Sequence, residues 1–204
     1  ADGRLAVPLS NRVKQATLLA DRATLQTRTS AEGLVIQMPL TAPDPHASVV
    51  LLEIEGAPRI VPGSDAIQQA PDGTLTLKAG DAELVGHTIQ LETKADGIPN
   101  LGHWTDTRDS VQWPVVISRP GRYRVEASYA CEPGSEGSVC VLTMGDLEIE
   151  ATVTATAGWG DFRTATAGEV DLEKTGPTLI TLKARSKPGQ GVVNLRSVTF
   201  RPVR

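Results

Sequence analysis

Hydrophobic and polar residues alternate with a period of two along most of the chain, and this pattern predicts β-strands. The clearest example is 123–129, where the odd-numbered positions are apolar and the even-numbered ones are polar. The same alternation recurs at 111–117, 147–153 and 180–184. Pro114 lacks an N–H, so its strand should lie at an edge or carry a bulge there. No helical periodicity exceeds about two turns, and the sequence therefore predicts an all-β protein.

A cluster of turn signals divides the chain. Between residues 56 and 73, three Gly- and Pro-containing turns occur with few apolar positions to hold a strand, which predicts a domain boundary. We expect a partial β-sandwich over 1–58, a linker over 59–73 and a β-jelly roll of eight or nine strands over 74–204. The first part looks incomplete because it offers only about four short strands, at 13–19, 24–29, 34–38 and 49–54.

Composition narrows the classes of function. The 204 residues are 40% hydrophobic and 22% charged, which is typical of a globular chain. The net charge is −4 and the basic residues are scattered singly, so we expect no nucleic-acid partner. No apolar run approaches the ~20 residues of a membrane span, so we expect no membrane association.

The sequence offers no convergent set of catalytic residues. Glu53 and Glu55 lie two apart on one strand face, as do Glu148 and Glu150, and both pairs are more simply solvated outer faces than an acid and a nucleophile in a cleft. No nucleophile elbow, phosphate loop or Cys/His couple occurs. We therefore expect the chain as given to be non-catalytic.

The three tryptophans lie in different contexts. Trp113 alternates in register with Val111 and Val115, which predicts a core position. Trp104 and Trp159 lie among small, polar and Gly residues that are typical of loops. A large ring on a loop can stack on the C–H face of a sugar, or it can plug one end of a sandwich. The sequence leaves both interpretations open for Trp104 and Trp159.

Cys131 and Cys140 bracket a turn-rich hairpin tip, and both are expected to project inward. A disulfide between them would suit a secreted protein, whereas two reduced thiols would behave as small buried apolar residues. The sequence permits either state.

The beginning of the chain resembles a known enzyme family. The matching segments are Leu5-Ala6-Val7-Pro8-Leu9, Val13 to Asp21, Gly33 to Pro39, Pro43-Asp44-Pro45 and Val49 to Ile54. They resemble the β-sandwich that follows the catalytic barrel in bacterial α-L-fucosidases of glycoside hydrolase family 29. That resemblance implies a C-terminal fragment whose catalytic domain lies outside this chain.

The remainder is similar to carbohydrate-binding modules of families 6 and 35, which are jelly rolls. The segments that carry the similarity are Gly102-His103-Trp104, Asp109 to Trp113, Pro120 to Tyr123, Ala157-Gly158-Trp159 and Val193 to Val198. In such modules a loop aromatic and the Gly-Trp loop flank the ligand, and an Asn of the last strand binds it. The resemblance therefore implies a glycan site at Trp104, Trp159 and Asn194, with His103 beside Trp104.

The pattern around Asn194 is out of phase with the end of its strand. Asn194 alternates against Val193 and Leu195, whereas Val198 and Phe200 follow the opposite parity. A β-bulge near Arg196 would reconcile the two halves.

The sequence gives little support for a metal site. Many relatives of these modules place an Asp just after the last-strand Asn as a calcium ligand, but this chain has Arg196 near that position. Glu83, Glu92 and Asp96 could still supply oxygens to a structural calcium. His46, His87 and His103 are far apart and pair with no cysteine, which argues against zinc. We expect no cofactor.

Together these features predict a non-catalytic carbohydrate-binding accessory region of a secreted or periplasmic glycosidase similar to α-L-fucosidases. Its partners would be a glycan and a glycosidase catalytic domain of the same parent chain. The alternative is a structural or interaction domain that packs against that catalytic domain without binding sugar.

Overall fold

A computed structural model describes residues 3–30, 33–41, 44, 47–59 and 66–203, and the chain divides into two units, Ala1–Asp65 and Ala66–Arg204. Strands make up nearly all of the regular structure, and the one helix of the described residues is the short 3-10 helix Ala79–Asp81. No helix in this part of the chain is long and apolar enough to cross a membrane. The predicted all-β fold class is confirmed. One of the three histidines considered for zinc, His46, lies outside the described residues.

The first unit contains five described strands: β1 (Arg4–Val7), β2 (Val13–Leu18), β3 (Thr27–Ser30), β4 (Gly33–Gln37) and β5 (Val50–Ile54). They form a three-stranded antiparallel sheet in the order β1-β4-β3 and a separate antiparallel pair, β2-β5. The fully buried apolar side chains come from two strands, with Ala16 and Leu18 on β2 and Leu34 and Ile36 on β4. This core is small.

The second unit contains the other twelve strands: β6 (Ile67–Gln68), β7 (Leu75–Lys78), β8 (Glu83–Val85), β9 (Gln90–Thr93), β10 (Pro99–Gly102), β11 (Ser110–Ile117), β12 (Gly121–Ala130), β13 (Val139–Met144), β14 (Leu147–Thr152), β15 (Arg163–Leu172), β16 (Gly176–Ser186) and β17 (Asn194–Pro202). One sheet has the order β15-β12-β17-β10-β9, with β7 also paired to β17. The other has the order β14-β13-β16-β11-β6, with β8 also paired to β11. Side chains from both sheets share one hydrophobic core, as in a jelly roll.

The alternating segments form strands of the second unit with the expected faces. On β12, Tyr123, Val125 and Tyr129 are buried, while Arg124 is exposed. On β11, Trp113 is fully buried, as predicted, and its indole Nε1 donates a hydrogen bond to the Lys78 carbonyl at 2.9 Å. Period-two alternation identified these strands because one face of each sheet packs on the core and the other faces solvent.

Pro114 lies at a gap in the pairing of β11. On one side β11 pairs continuously with β16, and on the other it pairs with β8 opposite Ser110–Gln112 and with β6 opposite Val115 and Val116. Among the described strands, none pairs with Pro114 on that second side. A residue without an N–H is tolerated there because no ladder bond is required.

Part of the segment expected to be a linker carries regular structure. Ile67–Gln68 is the strand β6, which pairs in parallel with β11. Gln69 then reaches the turn before β12, where its Oε1 accepts hydrogen bonds from the Ser118 and Arg119 amides at 2.7 Å each. These contacts attach the end of the segment to the second unit.

Both cysteines are free thiols in this structure. Cys131 is buried and Cys140 is partly buried against the core. Burial raises the pKa of the Cys131 thiol, and burial together with Cys131 raises the pKa of Cys140 to about 12. Both groups therefore behave as small apolar core residues near neutral pH, one of the two states that the sequence permits.

Candidate ligand-binding pocket

A pocket of about 290 Å³ lies among the loops of the second unit that follow β10, β14 and β16. It is lined by Glu92, Lys94, His103, Trp104, Thr105, Trp159 and 190–194. All four residues of the predicted site, Trp104, Trp159, Asn194 and His103, are therefore brought to one place. Their role in binding stays a prediction.

Trp159 provides a partly exposed aromatic surface in this pocket. Its ring packs against the core on one side and against Gly191, where a Cβ would lie 3.1 Å from the Trp159 Cη2 atom. A side chain at position 191 would therefore displace the ring. The absence of a side chain at Gly191 leaves room for the ring at the pocket wall, where part of its surface stays accessible.

Trp104 is placed differently from the expectation of an exposed loop ring. Its side chain is 1% exposed and belongs to the core, with the indole Nε1 donating to the Asp106 carbonyl at 3.1 Å. The preceding residue, His103, has a φ of +54°, and the chain turns so that the His103 side chain is 62% exposed while the Trp104 ring points inward. The expectation of two flanking rings is thus corrected: Trp104 offers no open face for stacking.

Asn194 begins β17 and is oriented by the loop that carries Trp159. Its side chain is 5% exposed, and its Nδ2 donates to the Trp159 carbonyl at 2.7 Å. The Asn194 Oδ1 atom accepts no hydrogen bond from the described residues. The amide therefore presents a free acceptor to the pocket.

The predicted bulge at Arg196 is confirmed. Ser128 on β12 pairs with Ser197, and the next residue, Tyr129, pairs with Leu195, so Arg196 is the extra residue. The bulge reverses the parity of β17, which explains why Val198 and Phe200 can face the core although Asn194 lies at the pocket.

Glu92 is a pocket residue that the sequence singled out only as a calcium candidate. Its Oε1 accepts hydrogen bonds from Lys94 Nζ at 2.6 Å and from Asn100 Nδ2 at 2.8 Å, and His103 Nε2 lies 3.4 Å from its Oε2. Burial alone would raise the pKa of Glu92, but the bonds from Lys94 and Asn100, together with the charges of Lys94 and His103, outweigh it and lower the pKa. The carboxylate is therefore ionised and has acceptor capacity left on Oε2.

Gly102 brings the two acceptor groups together. A Cβ at this position would lie 2.7 Å from Glu92 Cδ and 3.0 Å from Asn194 Oδ1. The carboxylate of Glu92 and the amide oxygen of Asn194 thus both lie close to the space that a side chain at Gly102 would occupy. This arrangement depends on strand register, because Glu92 on β9 pairs with Asn100 on β10.

Asp109 supports the loop that forms one wall of the pocket. Its carboxylate accepts hydrogen bonds from the amides of His87, Thr88 and Ile89 at 2.8–3.0 Å and from the Thr88 hydroxyl at 2.6 Å. The Thr88 hydroxyl oxygen in turn accepts bonds from the amides of Thr105 and Asp106. Burial opposes ionisation, but these bonds lower the pKa of Asp109 to about 2.

Two of the three acidic residues considered for calcium are paired with cations, and the third, Glu83, is exposed on β8. Glu92 binds Lys94, and Asp96 binds Arg196, whose guanidinium also lies 3.6 Å from the centroid of the Phe162 ring. Among the described residues, no group of three His, Cys, Asp or Glu side chains is placed to hold a metal ion. The pocket offers hydrogen-bonding groups and one aromatic surface instead.

Comparisons with known proteins show the fold. No family model and no curated protein matches the chain. Among solved structures, it is similar to the C-terminal family 6 carbohydrate-binding module of a laminarinase from Zobellia galactanivorans (TM-score 0.53, 20% identity, 63% of this chain and 98% of that one). It is also similar to a carbohydrate-binding module from Cellvibrio mixtus lichenase 5A in complex with cellotriose (TM-score 0.51, 24% identity, 63% and 97%).

A third similar structure is a GH26-CBM35 β-(1,4)-mannanase from Podospora anserina (TM-score 0.50, 19% identity, 65% of this chain). This chain spans 28% of that protein's length. The 65-residue first unit is too short to supply the covered share, so the similarity involves the second unit. The chain therefore contains a jelly roll similar to carbohydrate-binding modules of families 6 and 35.

Proposed function

We propose that the second unit binds a glycan in the pocket around Trp159. The observation that carries this proposal is the combination of a partly exposed indole with two acceptors, Glu92 and Asn194, on the same pocket wall. The similar fold of modules that bind carbohydrate supports it.

The chemistry of the pocket suits a sugar. The C–H face of a pyranose ring would stack on Trp159, and its hydroxyl groups would donate to Asn194 Oδ1 and Glu92 Oε2. Lys94 neutralises the charge of Glu92 at 2.6 Å, so the pocket favours neutral hydroxyl donors over a strongly charged ligand. With Trp104 in the core, stacking would come from one ring only.

We further propose that the parent protein is a secreted or periplasmic glycosidase similar to α-L-fucosidases, with the first unit as the remnant of its post-barrel sandwich. In that arrangement the second unit would hold glycan near a catalytic domain, and the chain as given would perform no hydrolysis. This proposal rests on the sequence resemblance of residues 1–58.

One observation favours a second candidate function. The burial of Trp104 makes that ring a structural element of the core, as expected of a domain that only packs against a catalytic barrel. In this alternative Trp159 would have the same structural role, and the pocket would bind no sugar.

A binding panel separates the two candidates. The full chain and its Trp159→Ala variant would be tested by affinity electrophoresis against laminarin, β-mannan and mixed-linkage glucan, and by calorimetry against cellotriose, isomalto-oligosaccharides and a fucosylated oligosaccharide. We expect at least one ligand to bind, and Trp159→Ala to weaken that binding by about 1–3 kcal/mol. No binding across the panel, or equal binding by a folded Trp159→Ala variant, would favour the structural candidate.

A further inference from the structure

The loop that carries Trp159 has two flexible positions beside the ring. Gly158 and Gly160 flank Trp159, and no atom beyond the adjacent residues lies within 4 Å of a Cβ at either glycine. Glycine restricts the backbone least, so a Gly-Trp-Gly segment without further contacts would sample many conformations. Other residues must therefore hold Trp159 in place.

Thr156 makes a set of bonds that attaches this loop to the end of β12. It is 6% exposed, and its amide donates to the Cys131 carbonyl at 2.8 Å. Its hydroxyl oxygen accepts the Cys131 amide at 3.0 Å and lies 3.1 Å from the carbonyls of Cys131 and Gly158. One side chain thus joins a core strand to the residue just before Trp159.

Two further contacts complete the closure of the loop. Asp161 Oδ2 accepts the Ala157 amide at 3.0 Å, and the Asp161 amide donates to the Gly158 carbonyl at 3.1 Å. The Gly158 carbonyl is therefore shared by Asp161 and the Thr156 hydroxyl. The Trp159 carbonyl is bound by Asn194 on the pocket side.

We propose that Thr156 is a positioning residue of the glycan site, which holds the Trp159 loop in its binding conformation through Cys131. The inference rests on the proposed function. Thr156 does not line the pocket, so any effect of its hydroxyl on binding must pass through the loop. A loop that is ordered before the ligand arrives avoids an entropic cost on binding.

Three variants test this role. Thr156→Val keeps the shape of the side chain and removes the hydroxyl, and Thr156→Ser keeps the hydroxyl. Thr154→Val is the matched control, because Thr154 binds Tyr129 at 2.7 Å and does not line the pocket. Should Thr156→Val fail to fold, Thr156→Ala removes the same hydroxyl without a second methyl group.

The first measurement is amide hydrogen exchange at residues 157–161 in the ligand-free protein. We expect exchange to be faster in Thr156→Val, close to wild type in Thr156→Ser, and unchanged in Thr154→Val. The second is affinity for the glycan identified by the panel, which should fall roughly two- to tenfold in Thr156→Val, the range of one lost buried hydrogen bond. Thr156→Ser should restore it.

The proposal would be overturned if a folded Thr156→Val or Thr156→Ala variant showed the same amide exchange at 157–161 and the same glycan affinity as the wild-type protein. Equal loss of affinity in Thr156→Ser and Thr156→Val would overturn it as well, since the hydroxyl would then be irrelevant. If the wild-type chain binds no glycan, the proposed function fails, and the exchange data still decide whether Thr156 orders the loop.

Discussion

At the scale of single residues, the exposed fraction of a ring decides what it can do. Trp104 and Trp159 both line one pocket, but only Trp159 keeps accessible surface, because the indole of Trp104 is enclosed by the core and bonded to Asp106. A buried ring contributes to folding, and a partly exposed one is available to a ligand.

Replacement of each ring by alanine should separate stability from binding. We expect Trp104→Ala to lower the free energy of unfolding by about 3–5 kcal/mol, because it leaves a cavity in the core. Trp159→Ala should cost less stability and weaken glycan binding. Denaturant melts of both variants check this, and a larger loss of stability in Trp159→Ala would contradict the assignment.

The sequence could indicate that Trp104 lies on a loop but not where its ring points. Small and polar neighbours mark the loop, whereas the direction of the ring depends on the positive φ of His103, which the residue type does not reveal. Trp113 was predictable because strand alternation alone fixes its face.

Asp109 predicts a pH dependence of stability. Its pKa is lowered from an ordinary value of 3.8 to about 2, so its ionised form stabilises the fold fully above pH ~4. That contribution, on the order of 2 kcal/mol, should be lost as the pH falls from about 4 to below 2.

Comparison with Asp109→Asn isolates this contribution from that of other carboxylates. The difference in unfolding free energy between wild type and Asp109→Asn, measured by urea denaturation, should be largest near pH 6 and shrink toward pH 2. A difference that stays constant over this range would show that the ionisation of Asp109 does not support the loop.

At the scale of elements, the pocket depends on strand pairing. The bulge in β17 was predictable because the parity of the apolar residues changes between Leu195 and Val198. The contribution of Glu92 to the pocket was not predictable, because it depends on the pairing of β9 with β10 and on the register that places Glu92 opposite Asn100. A single sequence shows the period of a strand but not its partner.

Gly102 of β10 offers a test of this arrangement. A methyl group there would collide with the Glu92 carboxylate and crowd the Asn194 oxygen, so Gly102→Ala should displace both acceptors and weaken glycan binding. Gly80→Ala is the matched control, since no atom beyond its own short helix and adjacent residues lies within 4 Å of a Cβ at that position. Calorimetry should show reduced affinity for Gly102→Ala alone. Unchanged affinity in a folded Gly102→Ala variant would exclude the two acceptors from the site.

At the scale of the whole molecule, each unit has its own sheets, and the core of the second is far larger. The second unit also contains another pocket, of about 310 Å³, lined by Ile117, 144–147 and 171–178. It has no aromatic side chain to stack on a sugar, whereas the pocket at Trp159 does. We therefore assign binding to the Trp159 pocket.

Indole N–H resonances during a glycan titration test this assignment most directly. The chain has three tryptophans, whose ¹H–¹⁵N indole signals can be assigned with single Trp→Phe variants. The account predicts that a bound glycan shifts the Trp159 indole signal and leaves that of Trp113, which is bonded to Lys78 in the core, unchanged. A glycan that binds without moving the Trp159 signal, or that shifts only resonances of 144–147 and 171–178, would contradict it.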